Sequence, residues 1–188
     1  MKIAKFIILL ILFYGCIFSN ISIYAQCNMG EEDSGVYEQM RFIMNNGLYG
    51  DARIKGKMLI TKYGDWCPQL YFDVGSLSFK TQSYWGAIDF LKLSLRTMDY
   101  SRDTFEFCYF AVGVSYYELG YYSNALLYLT EAININPKGD YHKFRGLSYY
   151  EPGDHEFAFT ELRRAKQSGS EFNDEETDIF GEVVDILK

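Results

Sequence analysis

The chain has 188 residues, of which 18 are basic and 25 are acidic, so its formal net charge is −7 at pH 7. Hydrophobic residues make up 48% of the sequence and aromatic residues 18%, a composition that excludes an intrinsically disordered chain. The acidic balance and the lack of a basic stripe exclude a nucleic-acid binder held by phosphate contacts. The length suits one domain or a short array of repeats.

Residues 1–25 have the pattern of a secretory signal peptide. Two lysines and no acid accompany an unbroken apolar run of 13 residues, 6–18, which is shorter than the ~20 residues that a membrane-spanning helix needs. Ala25 is a small residue at which a signal peptidase would cleave. We therefore expect export to the periplasm or the secreted space after cleavage near Ala25. The alternatives are an uncleaved membrane anchor and lipidation at Cys16, and we expect membrane association only through this segment.

Three cysteines, Cys27, Cys67 and Cys108, would remain after cleavage. An oxidising compartment permits a disulfide, and three thiols allow three pairings, which the sequence leaves open. The sequence contains no Cys-x-x-Cys motif, and its two histidines are too few and too far apart for a usual zinc site. We therefore expect no metal site and no cofactor.

Four hexapeptide segments recur along the chain. Each has an aromatic residue or histidine at its third position and ends in alanine, and the alanines are spaced by 35, 38 and 33 residues. The segments begin at Gly47, Gln82, Gly120 and Gly153 and end at Ala52, Ala87, Ala125 and Ala158. Four matching segments at a period near 34 predict an internal repeat. The glycines suit the ends of helices, where a left-handed residue is needed.

The flanks of these segments predict that each repeat is a pair of packed helices. Twelve residues before the alanine stands a glycine in three copies and Met40 in the first, and four residues after it stands a leucine in three copies and Gly56 in the first. Small residues remove side-chain bulk where two antiparallel helices cross. The residues expected to form this packing are Gly75, Ala87, Gly113, Ala125, Ala132, Gly146, Ala158 and Ala165.

The third copy carries the clearest family pattern. It runs Tyr109-x-x-Val112-Gly113-x-x-Tyr116, then Ala125-x-x-x-Leu129-x-x-Ala132-x-x-x-x-Pro137. This pattern resembles the tetratricopeptide repeat (TPR), and the resemblance covers about residues 33–170. It implies an all-α, right-handed α-solenoid of antiparallel helix pairs. We expect an N-terminal segment, 26–34, and then repeats over about 35–64, 68–101, 102–138 and 139–170. The predicted helices are 35–46, 50–62, 68–81, 84–97, 102–119, 122–135, 138–151 and 154–167.

A ninth helix is predicted in the acidic segment 171–188. Apolar residues such as Phe180 and Val183 recur there at helical spacing, and Asn173 or Asp174 could cap its start. A solenoid end needs one face on the last repeat and one in water, so we interpret this helix as a cap. An acidic docking tail is the alternative.

No catalytic motif is present, so we expect a non-enzymatic protein. The family resemblance implies that the first helix of each repeat lines a concave groove for a peptide or protein ligand. The residues at the family's groove positions are Tyr37, Arg41, Phe72, Phe79, Phe110, Val114, Tyr117, Lys143, Leu147 and Tyr150. Aromatic residues beside Arg41 and Lys143 would suit a peptide with apolar anchors, with or without an acid.

Other interpretations of the same residues remain open. Half of the groove residues could simply pack between helices. The chain could instead be a self-associating or structural subunit of an envelope assembly, or an envelope enzyme with an unrecognised site. The family's clamp for a C-terminal carboxylate matches this sequence in neither register, which argues against that type of ligand.

Overall fold

The computed structural model describes residues 27, 29–64, 67–97 and 101–188, except for the side chain of Arg102. The predicted signal segment, 1–25, lies outside these residues. The described residues form nine complete α-helices and no strand, and none of these helices is both long and apolar enough to cross a membrane. The helices are α1 (Glu31–Asn45), α2 (Tyr49–Tyr63), α3 (Pro68–Lys80), α4 (Tyr84–Thr97), α5 (Arg102–Glu118), α6 (Tyr122–Ile135), α7 (Gly139–Tyr150), α8 (His155–Gln167) and α9 (Asp174–Ile186).

The helices fall close to the bounds that the sequence predicts. For α4 and α6 the predicted ranges, 84–97 and 122–135, are those of the structure. The largest difference is at α1, which begins at Glu31 instead of residue 35, so the segment 26–34 is partly helical. Three acidic residues occupy the first turn of α1, where they interact favourably with the helix dipole, and this extends the helix towards the N-terminus.

Left-handed residues separate the two helices of every pair. The first residue of each hexapeptide segment has a positive φ: 81° at Gly47, 55° at Gln82, 77° at Gly120 and 91° at Gly153. A residue in this conformation ends a helix, and glycine adopts it without steric cost. Gln82 is the one non-glycine residue with a positive φ in the described part of the chain, and this conformation costs about 1 kcal/mol for a residue with a side chain.

A glycine on the first helix of a pair lies directly against a leucine on the second helix. A Cβ atom added to the glycine would lie 2.7 Å from leucine Cγ for Gly75 and Leu91, 2.8 Å for Gly113 and Leu129, and 2.7 Å for Gly146 and Leu162. In all three pairs the leucine backbone nitrogen would be only 3.0 or 3.1 Å away. The leucine follows the repeat alanine by four residues, and Ala87, Ala125, Ala132, Ala158 and Ala165 are fully buried. The recurring glycine is therefore required by the close approach of the two helices.

The chain divides into two compact units, and the boundary lies between Asp73 and Val74. In the unit that ends at Asp73, α1 packs against α2, and Tyr37 donates a hydrogen bond of 2.6 Å to the Asp73 carboxylate. A disulfide joins Cys27 to Cys67, so this is the one of the three possible pairings that the structure forms. Cys108, in the other unit, is a free and buried cysteine.

In the unit 74–188 each second helix of a pair packs against the first helix of the next pair. Such contacts join α4 to α5, α6 to α7, and α8 to α9, and the first helices α5 and α7 also contact each other. A tyrosine–glutamate hydrogen bond recurs at two of these junctions, between Tyr84 and Glu118 and between Tyr122 and Glu151. The start of a second helix is thereby joined to the end of the next first helix.

A buried ionic cluster centred on Glu161 joins α7 to α8. The Glu161 carboxylate lies 2.7 Å from His142 Nδ1, and it accepts hydrogen bonds from Arg145 (2.8 and 3.0 Å) and Arg164 (2.7 Å). Burial acts to raise the pKa of Glu161, but the hydrogen bonds from His142 and Arg145 and the charge of Arg145 outweigh it and lower the pKa. The carboxylate therefore stays ionised in the interior.

Candidate functional site

Six aromatic rings from three first helices lie side by side in the unit 74–188. We call them the aromatic face: Phe79 of α3, Phe107, Phe110 and Tyr117 of α5, and Tyr141 and Phe144 of α7. Phe110 is at the centre, with its ring centroid 4.5 Å from Tyr141, 5.9 Å from Phe144 and 6.4 Å from Phe79. Most of these pairs are edge-to-face, the arrangement that aromatic rings prefer.

The spacing of the aromatic residues along α5 places them on one side of that helix. Phe107, Phe110 and Tyr117 are separated by three and seven residues, which is one helical stripe. Phe144 of α7 fits between two members of this stripe, 5.9 Å from Phe110 and 5.7 Å from Tyr117. Each ring is thus held by rings of the neighbouring helix.

The aromatic face is only partly covered. Tyr141 is buried, whereas the other five rings are half-buried and leave part of their surface in solvent. Aromatic side chains lose few degrees of freedom on binding, and those of the face are already held by their neighbours. The face therefore offers a preorganised apolar surface.

A buried carboxylate supports one end of the face. Glu106, 3% exposed, accepts hydrogen bonds from Tyr141 Oη and from Asn136 Nδ2 (3.0 Å), and it pairs with Lys138. Burial acts to raise the pKa of Glu106, but the bonds from Lys138, Tyr141 and Asn136 outweigh it and lower the pKa. The Tyr141 ring is therefore fixed in place beneath Phe110.

Negative charge surrounds the opposite end of the face, at Tyr117. The Tyr117 ring lies 6.0 Å from that of Tyr122. The pKa of Tyr117 is raised, first by burial and then by the negative charges of Glu151, Glu118 and Glu176. A ligand that reaches this end of the face meets an acidic environment.

The predicted groove residues fall into four groups. Phe79, Phe110 and Tyr117 belong to the aromatic face. Tyr37, Val114 and Leu147 are buried, at 1%, 5% and 2% exposure, so their side chains pack in the interior. Arg41 and Phe72 are half-buried in the unit that ends at Asp73. The ligand-binding role assigned to these residues stays a prediction.

The fourth group, Lys143 and Tyr150 of α7, contacts the C-terminal segment. Lys143 Nζ lies 3.2 Å from the Glu176 carboxylate and 3.0 Å from the Glu171 carbonyl oxygen, and its side chain is only 13% exposed. Tyr150 donates a hydrogen bond of 2.8 Å to Glu182. The positive charge of Lys143, which the sequence suggests for an acid on a ligand, is thus paired within the chain.

Sequence reasoning missed Phe107, Tyr141 and Phe144, and with them the supporting Glu106. The available signal was the spacing of three residues between Phe107 and Phe110, which places both rings on the same side of α5. No local pattern could show that Phe144 packs against them, because this contact depends on how two helices are aligned.

The described residues contain no group of three or more His, Cys, Asp or Glu side chains arranged to hold a metal ion. The aromatic face presents the edges and faces of aromatic rings to solvent. Such a surface suits the binding of apolar and aromatic side chains.

The recurring helix pairs, with their glycine–leucine contacts and left-handed turns, define an all-α solenoid of the TPR type. The sequence-based fold class and the resemblance to this repeat are confirmed by solved structures. No protein-family model matches the sequence, and no curated protein matches it either.

Three solved structures are similar to this chain. Their sequence identities are so low that the similarity concerns the fold alone. MamA 41-end from Desulfovibrio magneticus RS-1 is similar with a TM-score of 0.64 and 14% identity, over 85% of this chain and 97% of that one. YrrB, a TPR protein with an unusual peptide-binding site, gives a TM-score of 0.62 and 15% identity, over 81% of this chain and 76% of that one. The APC/C hetero-tetramer Cut9-Hcn1 gives 0.64 and 15%, over 79% of this chain but only 29% of that one.

Proposed function

We propose that this chain is a non-enzymatic protein-interaction module that binds a peptide or protein segment on the aromatic face. The observation that carries the proposal is the set of five half-exposed rings held in place by their neighbours. A few central residues supply most of the binding energy at protein interfaces, and tyrosine and tryptophan are enriched among them. The peptide-binding site of YrrB and the Cut9-Hcn1 assembly support a protein partner for this fold.

The ligand proposed for the face combines apolar anchors with lysine or arginine. The rings would receive the apolar side chains, at about 25 cal/mol for each Å² of apolar surface removed from water. The glutamates around Tyr117 would attract the basic residues, since Glu118 and Glu151 leave that end negative. An acidic ligand is disfavoured, because Lys143, the basic residue that could attract it, is already paired with Glu176.

We also propose that the chain acts outside the cytoplasm, in the cell envelope or the secreted space. The signal-like segment 1–25 supports this, and so does the disulfide between Cys27 and Cys67, because structural disulfides persist in oxidising compartments. Mass spectrometry of the chain recovered from cells should find a mature N-terminus at Gln26. A chain recovered from the cytosol with Met1 still attached would contradict this location.

Site-specific photocrosslinking tests the binding face. We would place benzoylphenylalanine singly at Phe79, Phe110 and Tyr117, with Phe157 as the matched control. Phe157 is a 62% exposed ring on α8, outside the aromatic face. We expect the three face positions to crosslink to one and the same partner segment and Phe157 to give no such product. Equal crosslinking from all four positions would refute the proposed face.

Leucine substitutions then test the energetic role of the rings. Phe110→Leu and Tyr117→Leu keep most of the apolar volume, so helicity measured by circular dichroism should be retained. Each should lower the affinity for a synthetic peptide of the crosslinked segment by about tenfold, the effect of removing one aromatic anchor. Phe157→Leu should leave the affinity unchanged. Unchanged affinity in all three variants would contradict the proposal.

A further inference from the structure

The C-terminal helix α9 repeats the pattern of a first helix. The first helices α3 and α7 begin seven residues before their repeat glycines, at Pro68 before Gly75 and at Gly139 before Gly146, and α9 begins at Asp174, seven residues before Gly181. Gly181 follows Gly146 by 35 residues, within the range of the other repeat spacings. The residue two positions after each glycine is buried in every copy of the unit 74–188: Leu77, Ser115, Ser148 and Val183.

One contact of α9 has the same register as a contact between the earlier first helices α5 and α7. Phe110, three residues before Gly113, contacts Tyr141, which stands five residues before the next glycine. Lys143, three residues before Gly146, pairs with Glu176, which again stands five residues before the next glycine. Thus α9 occupies the position of the first helix of a fifth pair.

Gly181 differs from its counterparts in what surrounds it. At Gly75, Gly113 and Gly146 an added Cβ would lie 2.7–2.8 Å from a leucine of the second helix, whereas at Gly181 nothing lies within 4 Å. No helix follows α9 in the described residues, which end at Lys188. The face of α9 that a second helix would cover is therefore open.

Charged and apolar side chains frame this open face. Asp174, Asp178 and Asp185 lie on the same side of α9 as Gly181, at positions one and two helical turns away, and all three are exposed. Ile186 and Leu187, at the end of the helix, are 49% and 42% exposed. An occupant of this face needs an apolar stripe flanked by positive charge.

We propose that the α9 face, meaning Gly181 with Asp174, Asp178 and Asp185, binds a basic amphipathic helix of a partner protein. This second surface is separate from the aromatic face and independent of the function proposed for it. The partner's helix takes the place of a second helix, with a leucine against Gly181 and lysine or arginine against the aspartates. The three internal glycine–leucine pairs show what covers this position in the fold. The acidic side chains select the charge of the helix by complementarity.

A partner protein fits this face better than a second copy of the chain. In the unit 74–188 the repeat leucine of each second helix is already packed against the glycine of its own pair, so these leucines are not available to the α9 face of a second copy. The segment of α8 nevertheless provides a suitable probe as a free peptide. Its Ala158, Leu162 and Ala165 form the packing stripe, and Arg163, Arg164 and Lys166 supply positive charge.

The test titrates an acetylated and amidated peptide of residues 157–169 into the ¹⁵N-labelled chain and follows amide shifts by NMR, which detects the weak binding expected of a short helix. This peptide carries Arg163, Arg164 and Lys166 against a single acid, Glu161. We expect saturable shifts confined to residues 174–187. Gly181→Leu fills the open space and should lower the affinity at least about tenfold, because a side chain then occupies the leucine's place. Gly35→Leu is the matched control, since Gly35 is also a helical glycine with nothing within 4 Å.

Charge provides a second readout. Asp178→Lys should lower the affinity by about fivefold at low salt, and the difference from the wild type should shrink at 1 M salt. Absence of shifts, shifts centred outside α9, or unchanged affinity in Gly181→Leu would each overturn the proposal. A dimer detected by light scattering and dissociated by Gly181→Leu would also overturn it, by placing a second copy on the face.

Discussion

The contact between Gly113 and Leu129 gives a quantitative test of how the helices of a pair are held together. In the variant Gly113→Ala the new Cβ would lie 2.8 Å from Leu129 Cγ and 3.1 Å from the Leu129 backbone nitrogen. The side chain of Leu129 cannot relieve both contacts by changing rotamer, because one of them is to the backbone. The two helices must therefore move apart, or the pair must accept strain.

Two opposing effects set the size of the change. Overpacking of a well-packed contact costs about 1–3 kcal/mol, and alanine is favoured over glycine inside a helix by about 1 kcal/mol. Gly181→Ala supplies the control, because it gains the same helix propensity at a position with nothing within 4 Å. The difference between the two variants isolates the steric cost, and we expect Gly113→Ala to be the less stable by about 1–3 kcal/mol.

Urea denaturation followed by circular dichroism at 222 nm measures the free energy of unfolding of both variants. A double-mutant cycle with Leu129→Ala identifies the contact responsible. Leu129→Ala alone should cost about 2–5 kcal/mol, because it empties a fully buried site. In that background Gly113→Ala should cost less than in the wild type, since Leu129 Cγ and Cδ2 are gone and only the backbone contact at 3.1 Å remains. If Gly113→Ala is as stable as Gly181→Ala, the close-contact explanation of the repeat glycine is wrong.

Three further predictions concern the turn, the ionic cluster and the disulfide. Gln82→Gly should raise the free energy of unfolding by about 1 kcal/mol in urea melts, because glycine removes the cost of the positive φ. Glu161→Gln should lower stability at pH 7 by about 3 kcal/mol, since it leaves the largely buried Arg145 guanidinium without its carboxylate partner. Because the folded pKa of Glu161 lies below its ordinary value of 4.5, the wild type should lose this contribution as pH falls below about 4.5, and the variant should show a shallower acid loss in pH-dependent melts. Reduction of the Cys27–Cys67 bond, which spans 40 residues, should lower stability by about 4 kcal/mol, whereas Cys108→Ala should keep the wild-type response to reductant in non-reducing and reducing melts.

The helices and turns could be predicted from the sequence because their signals are local. Turn residues with a positive φ and small residues at a fixed spacing mark each helix end and each crossing, and the ranges 84–97 and 122–135 were predicted without error. The early start of α1 at Glu31 was missed. Its cause, an acidic first turn, is also local, but these residues precede the repeat pattern and are not part of it.

Much of the candidate site could not be predicted, because it depends on contacts between distant residues. The pairing of Lys143 with Glu176 joins residues 33 positions apart, and nothing in either segment indicates it. The sequence interpretation left Lys143 available to a ligand for that reason. The choice of disulfide was likewise open until the fold brought together Cys27 and Cys67, which are 40 residues apart. Cys108 stays free, and burial raises the pKa of its thiol to about 12.

The weakest copy of the repeat shows what the sequence pattern conserves. In the first pair, Met40 stands where the other copies have glycine, and Gly56 stands where they have leucine, so the large and small residues have exchanged helices. Both positions are buried, as they are in the other copies. A close-packed crossing constrains the summed volume of two facing side chains more tightly than either identity. A search for glycine alone therefore undervalues the first pair, whereas a search for one small and one large residue sixteen positions apart finds all four pairs.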